Sequence, residues 1–166
     1  MSNLHKAFVF DEAAFRRDLA PLLDRHDDTA LEHFISDQRA QLRNPRNGVH
    51  IESDWRDDAA FDGFGRRATL ALTAYYDPTA NIGLGSAASK CRFGLIDLYP
   101  ESRVFVGGGA LGVPDGYFQS ASYVAESVAI LENLRAQLPL KAEIIDPVLT
   151  MLHAATAENK GLYLLL

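Results

Sequence analysis

The sequence lacks most of what common activities are built from. It has one cysteine, Cys91, so no disulfide can form within the chain, and that fits a reducing compartment. No apolar run reaches the ~20 residues needed to cross a bilayer. The first residues, MSNLHKAFVFDEAAF, hold no unbroken apolar stretch as long as a signal's h-region and meet acids at Asp11, which argues against a secretory signal. A cytoplasmic protein is the expectation. Basic charge is scarce, with 16 Lys and Arg against 22 Asp and Glu for a net charge of −6. Phosphate recognition needs a basic footprint, and Arg66-Arg67 is too small to supply one, so nucleic acid is a poor match. No G-x-S-x-G elbow or S-x-x-K occurs. Gly83-Leu84-Gly85-Ser86 lacks the Gly-Lys-Ser/Thr ending of a phosphate loop. His5, His26, His33 and His153 have no metal-type spacing. No catalytic constellation and no cofactor site is recognisable, and the reading leans away from an enzyme.

What is present is ordinary globular material. The chain has 166 residues, 48% apolar and 23% charged, which suits one domain with a core of its own. The pattern reads as α+β: an antiparallel meander covered by about four helices. A helical N-terminal part is expected at about 11–43, a sheet-forming part at about 67–109, and a helix-strand-helix-strand part at about 120–166.

In the first part, KAFVF at 6–10 is a strand candidate and Asp11 can cap a helix that Pro21 makes kink or restart. Thr29 and Glu32 have capping-box spacing for a second helix, which Asn44-Pro45-Arg46-Asn47-Gly48 ends. Residues 67–76 (RATLALTAYY) alternate. The same letters fit a helix, but the threonines, the tyrosines and the period of two favour a strand. Residues 91–99 and 103–106 flank Pro100-Glu101-Ser102 as a hairpin. Ser120 or Ser122 caps a long helix to about Gln137. Residues 141–145 are a short strand candidate, and Asp146-Pro147 starts a last helix that Gly161 ends. The apolar terminus LYLLL, from Leu162 to Leu166, is expected either to join the sheet or to dock at a homo-oligomer interface.

Two stretches carry candidate sites. Residues 52–62 hold five carboxylates and one arginine, in an irregular segment with the only tryptophan. Asp54, Asp57, Asp58 and Asp62 would steer a basic partner protein while Trp55 anchors it; an immunity-type inhibitor of a toxin is the concrete form. Trp55, Phe61 and Phe64 would otherwise fold the loop onto the core. The alternation of His50, Glu52 and Asp54 places all three on one face of an extended segment, a weak metal alternative. The second stretch is glycine-rich. Gly107, Gly109 and Gly112 match G-x-G-x-x-G formally, but Pro114 intervenes before any helix and the next acid is misplaced for a ribose. A pocket built there with Tyr117 is the alternative to the protein-binding reading.

Overall fold

The computed structural model describes residues 5–98 and 116–165. In them a three-stranded antiparallel sheet lies between two layers of helices. The strands are β1 (Lys6–Phe10), β2 (Gly116–Gln119) and β3 (Gly161–Leu165), in the order β1-β3-β2. The C-terminal strand is therefore the middle one, with Phe8 and Phe118 both opposite Tyr163.

Alternate side chains of a strand point to opposite faces. Phe8, Phe10, Phe118 and Tyr163 face one layer, formed by α1 (Glu12–Asp18), α2 (Ala20–Asp24), α3 (Asp28–Gln38) and α4 (Phe64–Leu72). Their rings pack closely, with centroids 5.2 Å apart for Phe118 and Tyr163 and 5.3 Å for Phe10 and Phe15. Ala7, Leu162 and Leu164 face the other layer, formed by α5 (Ala88–Leu98), α6 (Ala121–Gln137) and α7 (Ala142–Ala157). Each fully buried Leu or Phe contributes about 1.5–3 kcal/mol. Covering both faces explains why AFVF at 7–10 and LYLL at 162–165 are continuous apolar runs rather than alternating ones. Leu162, Tyr163 and Leu164 are fully buried within the chain's own sheet.

The helix ends follow from local chemistry. The Ala14 N–H donates to Asp11 Oδ1 at 3.1 Å, and α2 restarts with Pro21 in its first turn. The cap of α3 is Asp27, whose Oδ1 accepts from the Ala30 N–H at 3.0 Å, rather than Thr29. Ser120 Oγ accepts from the Tyr123 N–H at 3.2 Å and opens the expected long helix. At the end of α7, the Lys160 N–H donates to Ala155 O and the Asn159 N–H to Thr156 O, both at 3.0 Å. This is a Schellman cap with Asn159 at φ 51°. Gly161, expected to end that helix, opens β3 instead; a Cβ there would run into the Gln119 carbonyl.

Three expected strands are helical. Residues 67–76 lie mostly in α4, which buries Ala68, Ala71 and Leu72 at helical spacing. Residues 91–98 belong to α5, where Cys91 and Leu95 share the buried face and Gly94 lets Ile144 of α7 approach closely. Residues 141–145 complete a 3-10 turn (Pro139–Lys141) and begin α7, so Pro147 lies inside that helix rather than starting it. The meander at 67–109 is thus replaced by a sheet of distant strands, and the expected strand at 103–106 lies outside the described residues. The helices number seven among the described residues, on two faces. None of them is long and apolar enough to cross a membrane.

Candidate functional site

Residues 44–61 fold into a lip around an open cleft of about 330 Å³. The first side is a tight turn. The Gly48 N–H donates to Asn44 O at 2.8 Å, and the Asn44 N–H to Val49 O at 2.7 Å. Gly48 has φ 72°, a left-handed conformation that glycine adopts without strain. The second side is a pair of 3-10 turns, Trp55–Asp57 and Ala59–Phe61. Asp58 joins them: its N–H donates to Trp55 O at 3.3 Å and its Oδ1 accepts from the Ala60 N–H at 2.8 Å. A repeat of three residues per turn brings positions i and i+3 to the same side, which groups Asp54 with Asp57.

Ile51, Trp55 and Phe61 form the buried apolar wall of the cleft, exposed Val49 also lines it, and its titratable lining is His50, Glu52, Asp54, Asp57 and Asp58, all exposed. Four of the five residues assigned to partner binding from the sequence, Asp54, Trp55, Asp57 and Asp58, therefore line one cleft. Asp62 is exposed beside it without lining it. Trp55 is only 2% exposed and belongs to the core shared with α3 and α4. It is a wall of the site rather than a ring free to insert into a partner.

The charge state of this lip is unusual within the molecule. The only arginine of residues 52–62, Arg56, turns away from the acids. The guanidinium lies over the Trp55 ring at 4.7 Å, donates to Ser36 Oγ at 2.7 Å and reaches Glu32 of α3 at 3.4 Å. Among the described residues, Glu52, Asp54, Asp57, Asp58 and Asp62 form no ion pair. Elsewhere the acids are mostly neutralised or used as caps. Glu12 pairs with Arg16, Asp146 with Arg135, and Asp28 and Glu32 both with Arg67 at 2.9 Å.

His50, Glu52 and Asp54 line this same cleft but do not form a metal centre. Among the described residues no three His, Cys, Asp or Glu side chains are gathered closely enough to hold an ion. Cys91 is buried and desolvation raises its thiol pKa, so it is not a ready nucleophile. Gly107, Gly109 and Gly112 lie outside the described residues. Tyr117 lies on β2 and packs against the core beneath α6 and α7.

A second cleft, of about 650 Å³, opens along the outer edge of β1. Its residues come from β1, residues 73–82 and the end of α7, and its charged lining is Asp11, Arg43, Asp77, Glu158 and Lys160, the last two paired at 3.1 Å. Sequence reading missed it, because no local signal joins Val9 to Tyr75 or to Lys160. No protein-family model matches this chain, and no characterised protein or solved structure is similar to it.

Proposed function

We propose that this protein is a cytoplasmic binding module that holds a basic partner protein at the acidic cleft of residues 52–62, most concretely as an immunity-type inhibitor masking a basic toxin. The observation that carries the reading is the group of unneutralised carboxylates on a cleft with a rigid apolar wall. Unpaired acids on one surface attract a cationic partner and speed its encounter. The long stems of Lys and Arg suit apolar surface while their heads stay polar, which matches Trp55 and Phe61 beside Glu52, Asp54, Asp57 and Asp58. Trp55 contributes as a preformed wall that loses no freedom on binding.

Octalysine is a defined probe of this cleft. Titration of the folded chain should show binding that weakens steeply with salt. Replacing Asp54, Asp57 and Asp58 together by Asn should lower the affinity about tenfold or more, since charge-assisted contacts are the strong ones. The indole fluorescence of Trp55 should respond to the peptide in the parent chain. Unchanged affinity in the triple variant would overturn the assignment.

A further inference from the structure

The outer edge of β1 is covered at every outward-facing residue except Val9. In an antiparallel ladder the residues of an edge strand alternate between pairing inward and pointing N–H and C=O outward. The outward set of β1 is fixed by its contacts. The Gly85 N–H donates to His5 O at 3.0 Å and the Ile82 N–H to Ala7 O at 2.8 Å. The Ala7 N–H donates to Asn81 Oδ1 at 3.1 Å, and just past the strand the Asp11 N–H donates to Tyr75 O at 3.0 Å. By this alternation the N–H and C=O of Val9 also point outward, between Ile82 on one side and Tyr75 on the other. Among the described residues neither is bonded to the covering segments. The second cleft opens there, with Val9 part-exposed in its wall.

The rest of the cleft adds a preference. Its walls include Ala74, Tyr75 and Ile82. Burial pushes the Tyr75 phenol well above its ordinary range, so it stays neutral. Arg43 lines the same cleft and is largely unspent. Its one ion-pair partner among the described residues is Asp77 at 3.8 Å, and that carboxylate is already held by the Thr79 N–H and hydroxyl at 2.9 and 2.7 Å. An unspent guanidinium is a fork for a carboxylate.

The geometry points to a binding site in this cleft for a short free peptide, lying extended against Val9 with its C-terminal carboxylate on Arg43. One peptide unit supplies the C=O and N–H that Val9 lacks, which is strand addition reduced to one residue. The peptide is short because Tyr75 and residues 81–85 close the edge on both sides. The volume falls in the range of small-molecule sites, about 300–1,000 Å³.

Trialanine and its C-terminal carboxamide are the probes, added to uniformly 15N-labelled chain. Trialanine should shift the Val9 amide resonance saturably at concentrations of about 1 mM. The carboxamide should bind about tenfold more weakly. A Val9 resonance that does not move, or equal affinity for the two peptides, overturns the proposal. Val9→Pro removes the outward donor without touching the β1–β3 ladder, as proline is tolerated on edge strands, and should abolish binding; a folded V9P that still binds trialanine overturns it. Should V9P not fold, Arg43→Gln takes its place. It should make the acid and the carboxamide equivalent, and discrimination surviving in R43Q overturns the carboxylate assignment. Octalysine binding at residues 52–62 is read separately and is expected to be unchanged in both variants.

Discussion

His5 shows how a single buried side chain sets a pH limit on the fold. It is 2% exposed, and its Nδ1 accepts the Leu84 N–H at 3.0 Å. An imidazole that accepts at Nδ1 is neutral, with its proton on Nε2. Protonating Nδ1 would face one donor with another where residues 81–85 cover β1. Desolvation accordingly holds the His5 pKa below its ordinary 6.5. The unfolded chain then binds a proton that the folded chain refuses, so the His5 contribution is complete above about pH 6.5 and is lost as pH falls below that value towards the lowered folded one. Glutamine at this position can still accept the Leu84 N–H and does not titrate. Melting temperatures of parent and His5→Gln chains should run parallel above pH 7 and diverge below pH 6.5, the parent falling faster. Parallel curves down to pH 5 would remove His5 as the sensor. Gly83 belongs to the same contact: a Cβ there would meet His5 O and the Ala7 nitrogen at 2.5 and 2.6 Å.

At the level of elements, α3 is the support for the acidic lip. It receives Arg56 through Glu32 and Ser36, and it receives Arg67 of α4 through Asp28 and Glu32. Its start depends on one side chain, Asp27, which satisfies the Ala30 N–H. Asp27→Ala should cost about 0.5–2 kcal/mol, and Asp27→Asn much less, because asparagine caps equally well. Urea unfolding of the two variants measures the difference; equal midpoints would show that the cap contributes nothing. Part of this short-range chemistry is legible in the sequence, although the cap of α3 was expected at Thr29 and lies at Asp27. The Asp11 cap and the strand at KAFVF read directly from the sequence, while the restart at Pro21, the Ser120 cap and the terminal strand were each one of two alternatives it left open. The misread elements share one cause. In α4 and α5 a few residues of apolar pattern fit periods of both 2 and 3.6, and what decides is tertiary: Leu70 and Leu72 are both buried although they are two apart, and Gly94 is selected by Ile144. The acids of the first cleft were visible as composition. The burial of Trp55 was one of two readings of that segment, and the second cleft was not visible at all, since both depend on contacts between distant segments.

Over the whole molecule, charge and fold pull in different directions. The net charge of −6 splits into −5 for residues 1–62 and −1 for the remainder. Within the first part Glu12 and Asp18 of α1 pair with Arg16 and Arg17, and Asp28 and Glu32 of α3 pair with Arg67 and Arg56, so unpaired acids are densest at residues 52–62. Like charges held on one lip repel one another and oppose the compact state. A surface kept only for solubility would not need them side by side, because interspersed charges serve that purpose equally well. Neutralising the acids should therefore stabilise the fold while it weakens octalysine binding. Asparagine is the right replacement, because it preserves the Asp58 bond to the Ala60 N–H. The Asp54/Asp57/Asp58→Asn chain should melt higher than the parent at low ionic strength, by up to about 3 °C. The gap should close as salt rises towards 1 M, where screening reaches down to about 3 Å. A triple variant that melts lower at every salt concentration would mean that the carboxylates hold folding contacts of their own. A gain in stability paired with a loss of cation binding is the signature of groups retained for recognition, and measuring both on the same variant separates that outcome from simple damage to the lip.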